Sequence, residues 1–434
     1  MCDLSGSGEK IQNGVKAIPL QQAVGMALAH DITEIRRDEF KGRAFKKGHI
    51  VTEEDICHLR RLGKEHLFVL TIGYDEMHED TAAFSLAAAL MGEGVAMDGE
   101  PKEGKINIVA SKDGLLKVDR DALLRLNMLG DVMCATLHAN TVVRKGQVVA
   151  GTRAIPLVVK KAIVDQAVRI ADCGTRIAES RTENAECGAL DNSEIRNLPV
   201  RQAGPKSEIS RGGGIISIKE MRRPRAGVVI TGNEVYHGRI RDAFAPIISK
   251  KIEEYDGEVV GVYYAPDDEE YIEARLRELI EAGADLLITT GGMSVDPDDV
   301  TRFAIRKLGA IDITYGSAVL PGAMFLVAYL PNSEFGIRNS ELNTPHSALR
   351  IPHSEIRNSE LNTPYSALRI PHSEIPILGV PACGMYHKTT IFDLVFPRVL
   401  SGERIGRKEL AELGHGGLCL NCRECRYPVC PFGK

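Results

Sequence analysis

Between Asp285 and Asp299 the sequence reads Asp-Leu-Leu-Ile-Thr-Thr-Gly-Gly-Met-Ser-Val-Asp-Pro-Asp-Asp, an apolar run that passes through two glycines into a cluster of carboxylates. A parallel strand that ends in a tight glycine turn leaves backbone N–H groups at the mouth of the sheet, where an oxyanion is the ligand they suit. Gly291 and Gly292, flanked by Thr290 and Met293, can take backbone angles that other residues avoid, and Ser294 adds a hydroxyl to the same cradle. Asp296, Asp298 and Asp299 would repel a bare anion, so a divalent cation is the natural bridge between them and a charged substrate. The plainer role for these acids is to cap a helix starting near Val300, and one acid can cap while another coordinates.

A second candidate is Thr231-Gly232-Asn233-Glu234, at the end of an apolar run over 226–230. Gly232 lets the backbone approach a ligand and Glu234 would project into the same crevice, unless the tetrapeptide is an ordinary turn with a solvated Glu. Two proline turns, Pro321-Gly322 within 320–324 and Pro381 within 379–384, are either walls of a substrate groove or ordinary strand-end turns. Cys383, beside the second, reads better as a small buried residue than as a nucleophile. His387 and Lys388 are expected to open the last helix of this region, where Lys388 either meets an anion or is solvated.

These residues need a scaffold, and the pattern from 226 to about 400 supplies one. Strands are expected over 226–230, 258–264, 285–288, 311–315, 324–330 and 377–380. Helices are expected from about 242, through Ile272, Leu276, Leu279 and Ile280 up to Gly283, over 300–308, and through Ile391, Phe392 and Val395. Strands separated by crossover helices predict an α/β fold, a doubly wound, mostly parallel sheet with helices on both faces. The N-terminal part is less legible. Short helices near 20–29 and 53–62 and a strand near 67–71 suggest an α+β module over 1–78. A helix over 82–91 followed by turns such as Gly146 to Thr152 suggests a smaller β-rich module over 79–171. Weak patterning over 172–224 reads as a flexible linker, ahead of an α/β domain over 225–402 and a C-terminal segment over 403–434.

Residues 339–356 recur as 358–375 with one change, His346 against Tyr365. Two copies rich in Asn, Ser, Pro and His carry too few apolar residues for a stacked core, so 331–375 is expected to be a disordered insertion that leaves the sheet intact.

The chain has 434 residues, 44% of them hydrophobic, enough for two or three domains each with its own core. Its net charge of −5, with no concentrated Lys/Arg stripe, gives no electrostatic reason for a nucleic-acid partner and favours small molecules. The N-terminus lacks the apolar core of a secretory signal, and no run reaches the roughly 18 apolar residues of a membrane span, so a cytoplasmic protein without a membrane partner is expected. Ten cysteines in such a chain argue against a disulfide framework.

Four of those cysteines form a separate motif, Cys419-x2-Cys422-x2-Cys425-x4-Cys430, followed by Pro431. Four thiolates so spaced can surround one Zn²⁺ or hold an iron–sulfur cluster. The spacing leaves the metal open, because bacterial ferredoxin runs have a shorter final gap. The glycines at 414, 416 and 417 suggest a short tether, from which this knuckle would dock a partner or carry electrons.

The order of Thr-Gly-Asn-Glu, Thr-Thr-Gly-Gly-Met-Ser-Val-Asp-Pro-Asp-Asp, Pro-Gly-Ala-Met and Gly-Val-Pro-Ala-Cys over about 225–400 resembles the molybdopterin-binding domain of molybdenum-cofactor biosynthesis proteins, and within them the molybdopterin molybdenumtransferases. Stretches 23–33 and 40–70 are similar to parts of those enzymes' N-terminal region. The resemblance implies a domain whose strand-end loops hold a pterin phosphate, with Glu234 and Asp299 at acidic active-site positions. It further implies Mg²⁺-dependent insertion of molybdate or tungstate into adenylated molybdopterin, and a homodimer by analogy. Molybdoenzymes or other cofactor-pathway proteins would be the macromolecular partners. Asn233 stands where these transferases usually have Asp, Asp296 replaces a usual Gly, and Pro381-Ala382-Cys383-Gly384 replaces a usual Pro-Gly-Asn-Pro turn. These departures leave a non-catalytic molybdopterin carrier, sensor or insertion partner as the alternative, with nucleotide-pyrophosphate hydrolysis a remoter one.

Overall fold

In the computed structural model, the described residues are 11–12, 15–26, 28–36, 40–70, 72–179, 214–292, 300–331 and 374–433. The chain divides into two compact units, Met1–Met221 and Arg222–Lys434. The expected repeat insertion falls almost wholly at 332–373, outside the described residues; its last residues, Glu374 and Ile375, belong to a sheet strand.

The second unit carries the chemistry-bearing motifs. Its strands are β1 (Arg225–Thr231), β2 (Glu258–Ala265), β3 (Leu286–Thr290), β4 (Ile311–Tyr315), β5 (Leu326–Pro331) and β6 (Glu374–Val380). Its helices are α1 (Asn233–Tyr236), α2 (Phe244–Glu253), α3 (Glu269–Glu281), α4 (Thr301–Lys307), α5 (Ile391–Leu400) and α6 (Arg407–Glu412). The six strands form one sheet in the order β2-β1-β3-β6-β5-β4. The pairings β1 with β2, β1 with β3 and β3 with β6 are parallel, whereas β5 pairs antiparallel with both β6 and β4. The sheet is therefore mostly parallel, with an antiparallel hairpin closing one side. All five residues of β3 are buried, as expected of a central parallel strand covered on both faces. On one face Ile272, Leu276, Leu279 and Ile280 of α3 pack with Val229, Leu287 and Ile377.

Local choices explain the element ends. Asp268 accepts a hydrogen bond from the Tyr271 N–H at 2.7 Å and caps α3, and Gly283, at φ +87°, follows its end. Asp242 takes the amides of Phe244 and Ala245 at 2.8 and 3.0 Å at the start of α2. Thr390 and Asp393 form a reciprocal capping box on α5, so that helix begins at Ile391 and the expectation that His387 and Lys388 open it is corrected.

In the first unit, the strands Ile11–Gln12, Val15–Pro19 and His66–Leu70 form an antiparallel sheet next to a hairpin of Ile32–Arg36 and Phe40–Phe45. Their core includes Ile18, Leu28, Phe45, Val51, Leu59 and Val69. The expected helix near 20–29 is only a single turn at Leu20–Gln22, and Gly25, at φ +84°, reverses the chain after it. A second core joins the helix Glu79–Leu90 to several short strands and to the long helix Lys161–Glu179. This module is more helical than its turn-rich sequence suggested. The stretch read as a linker is corrected at both ends. Its first residues belong to Lys161–Glu179, and Ile216–Lys219 pairs antiparallel with Gly114–Val118, burying Ile216 and Ile218. An apolar alternation of only four residues is too short to be read as a strand without its partner.

Among the described residues no helix is long and apolar enough to cross a membrane.

Candidate functional site

The register of the parallel strands brings the singled-out turns to one edge. Ile230 stands opposite Thr290, and Thr290 opposite Val380, so β1, β3 and β6 release Thr231-Gly232, Gly291-Gly292 and Pro381 side by side. The antiparallel β5 starts opposite Gly379 with Leu326, which brings the Pro321-Gly322 turn to the same edge. Met293, Ser294, Asp296, Asp298 and Asp299 lie outside the described residues.

The two glycines after β3 are required by close packing. Gly291 has φ +85°, and a Cβ there would overlap the Thr231 carbonyl oxygen. At Gly292, φ +53°, a Cβ would lie 2.5 Å from the Thr301 Oγ1. The space they leave is crossed by hydroxyls: Thr231 donates to the Thr290 carbonyl at 3.1 Å and Thr301 donates to the Gly291 carbonyl at 3.2 Å, with the two hydroxyl oxygens 3.2 Å apart. Thr301 thus ties the first residue of α4 to both strand ends, a role its sequence position at a helix start did not signal. The hydroxyls of Thr289 and Thr290 are buried with no hydrogen-bond partner among the described residues.

The turn after β1 is differently occupied. Gly232 adopts φ +136°, and its N–H donates to the Ala265 carbonyl at 3.1 Å. The Asn233 N–H donates to Asp267 Oδ2 at 3.2 Å, and the Asp267 N–H donates back to Asn233 Oδ1 at 3.4 Å. These two amides are therefore spent within the protein. The exchange also brings a carboxylate to this edge. Asp268 does the capping, while Asp267 stands at the end of β2 beside Asn233. Its position just past a parallel strand end was the signal. Glu234 is exposed on the same edge.

The turn that carries Pro321 is closely packed. A Cβ on Gly322, φ +130°, would overlap Ile391, and Ser317 Oγ donates to the Gly322 carbonyl at 3.1 Å. Leu320-Pro321 is a cis peptide. Cys383 is half-buried, and burial raises its thiol pKa, which suits a packing role. Lys251 and Asp393, both mostly buried, form an ion pair at the start of α5.

The C-terminal cysteines do not extend away on a tether. The Cys419 N–H donates to the Leu320 carbonyl and the Leu320 N–H to the Gly417 carbonyl, both at 2.8 Å, so this segment runs alongside the turn that carries Pro321. Thr389 Oγ1 lies 3.3 Å from Cys425 Sγ, and the Tyr427 hydroxyl donates to the Asp393 carbonyl at 3.1 Å. Phe432 is buried. The hydrogen bond from Thr389, then that from the Tyr427 backbone, holds the Cys425 thiol below its ordinary pKa. Tyr427 and Phe432, an aromatic pair on either side of Cys430, anchor this limb of the segment to the domain. Among the described residues no group of three or more His, Cys, Asp or Glu side chains is gathered as a metal ion would require.

A cavity of about 150 Å³ lined by Arg222, Tyr329, Glu403 and Arg404 lies where β6 begins, at the opposite edge. Its charges are paired, Arg398 with Glu403 and Arg404 with both Glu374 and Asp312.

Residues 227–395 match the family model described as "Probable molybdopterin binding domain". The α/β domain belongs to this molybdopterin-binding family. Residues 17–71 match instead a model described as a domain of unknown function, DUF8806. A CinA-like protein of Mycobacterium avium is 40% identical over 89 residues, 19% of this chain and 20% of that protein. One from Mycobacterium tuberculosis is 42% identical over 83 residues, 19% of each. The chain thus spans about one-fifth of the length of these curated relatives. Among solved structures, a molybdopterin biosynthesis protein from Mycobacterium abscessus is similar at 30% identity and TM-score 0.19, over 20% of this chain and 54% of that one. The tungsten cofactor synthesizing protein MoaB from Pyrococcus furiosus is similar at 17% identity and TM-score 0.26, over 42% of this chain and 98% of that one.

Proposed function

We propose that the strand-end edge of the molybdopterin-binding domain binds the phosphate end of adenylated molybdopterin and inserts molybdate or tungstate into it. The observation that carries this reading is the junction of Gly291-Gly292 with Thr231, where backbone is brought too close for any side chain and a buried Thr290 hydroxyl has no partner among the described residues. Such a spot accepts an oxyanion from backbone and hydroxyl donors without a reorganisation cost. Gly232, Asn233, Pro321, Gly322 and Pro381 shape the rest of the groove, with Met293 and Ser294 contributing from the loop that follows Gly292.

The reaction calls for Mg²⁺. In the described part of the edge, Glu234 and Asp267 are the carboxylates at hand, one exposed and one beside Asn233, and they do not make a complete ligand set. Asp296, Asp298 and Asp299 would complete it. Mg²⁺ bound there would neutralise the phosphoanhydride oxygens and orient the oxyanion. The protein's own share is to hold the pterin phosphate against Gly291-Gly292 and to keep the acids within reach. Glu234 and Asp299 are the residues assigned to catalysis.

Purified protein supplied with adenylated molybdopterin, molybdate and Mg²⁺ is expected to release AMP, and Asp299→Ala to abolish that release. No AMP release by the wild-type protein under these conditions overturns the insertion reading. A second reading, a molybdopterin carrier, sensor or insertion partner, is favoured by Asn233, whose side chain is engaged with the Asp267 backbone and offers no charge to a metal. It predicts pterin binding unchanged by Asp299→Ala and no turnover.

A further inference from the structure

The C-terminal segment is closed into a loop before any metal is considered. The Gly433 N–H donates to the Gly416 carbonyl at 3.0 Å, joining the two ends of the loop. Next to that base the Cys419 N–H is bonded to Leu320, and on the other limb Tyr427 is bonded to Asp393 and Phe432 is buried. Between these anchors lie Cys419, Cys422, Cys425 and Cys430, all free thiols and none fully buried. Asn421, at φ +47°, turns the chain between the first two. The same stretch leaves Leu418, Leu420 and Val429 at 64%, 76% and 90% exposure. An anchored loop with two exposed and two half-buried thiols and three exposed large apolar side chains lacks a centre of its own to pack around.

We infer that this loop closes around one thiolate-bound metal centre, drawing in all four cysteines while its base stays on the molybdopterin-binding domain. In the structure the thiols are spread along the loop and are not yet gathered. Closure is local, because the base is already bonded and only a short stretch must reorganise, which keeps its entropy cost small. Each thiol gives up its proton to solvent as its sulfur bonds the metal, so uptake releases protons and strengthens as pH rises. For a mononuclear site the metal is Zn²⁺ in tetrahedral sulfur coordination. A [4Fe–4S]²⁺ cluster instead takes up Fe²⁺ and Fe³⁺ in equal amounts together with inorganic sulfide as co-reactants, so that no further oxidant is needed.

The test uses the full chain, reduced, freed of metal and kept anaerobic. Titration with Co²⁺ is expected to develop a sulfur-to-cobalt charge-transfer band that saturates at one ion per chain and is abolished by excess Zn²⁺. Alternatively, Fe²⁺ and Fe³⁺ with sulfide develop a sulfide-dependent visible chromophore; the two arms distinguish a zinc clasp from a cluster. Trypsin cleavage after Arg423 and Arg426, both exposed, is expected to slow at least tenfold once the metal is bound. Cys422→Ser and Cys430→Ser should each lose the band and the protection while keeping the wild-type unfolding transition without metal. A wild-type protein whose thiols are all titratable, yet which develops neither absorption nor protection with Co²⁺ or with iron and sulfide, overturns the inference. So does a band that survives in both variants.

Discussion

The Gly291-Gly292 junction and the C-terminal cysteine loop lie in the same domain and are built on opposite principles. At the junction, two buried threonines and two glycines with positive φ are locked between parallel strands, so its shape exists before any ligand arrives. In the loop, the backbone is bonded at its base while the thiols, two exposed and two half-buried, remain dispersed. An oxyanion can be recognised by backbone alone, which a sheet holds rigidly. A thiophilic metal must be surrounded by side chains, which a short loop can supply only by closing.

The sharpest way to break this contrast is Gly291→Ala. The added methyl meets the Thr231 carbonyl in a conformation alanine disfavours, so a loss of about 3–4 kcal/mol is expected in denaturant unfolding, together with loss of pterin binding. Gly402→Ala is the control: its φ of +81° is similar, but nothing lies within 4 Å of the added carbon, and about 1 kcal/mol is expected. Equal losses at the two positions would mean that the junction is not close-packed. Next in size is Thr301→Val, which removes the donor to the Gly291 carbonyl and a neighbour of Thr231 at similar volume. About 1–2 kcal/mol should be lost by the same measurement, with weaker pterin affinity. The smallest effect belongs to the other region. In metal-free protein Cys422→Ser should change stability by less than about 0.5 kcal/mol, since the thiol is exposed, and a larger loss would show that the loop is already organised.

Legibility divides along the same line. β1, β2, α2 and α3 follow from apolar spacing because each is amphipathic or continuously apolar over its own length, whereas the short α1 is polar and reads as a turn. The glycine turns were legible as motifs because few other reasons place two glycines after a buried strand. Ile216–Lys219 was not, because a four-residue strand has meaning only beside Gly114–Val118. Asp267 and Asp268 were indistinguishable in sequence, and the geometry at the end of β2 separates them, one capping α3 and the other meeting Asn233. The glycines ahead of the cysteines suggested a tether, whereas Tyr427 and Phe432 hold the segment to the domain.

By itself the sequence determined the α/β alternation, the four turns and the four thiols within reach of one another along the chain. These are local properties, set by side-chain type and spacing. The tertiary structure alone decided that β1, β3 and β6 end in register and that Gly291 must be glycine because Thr231 stands against it. It also decided that the cysteine loop closes on the turn carrying Pro321. Contacts between residues tens to a hundred positions apart depend on which strands pair, and no local pattern encodes that choice.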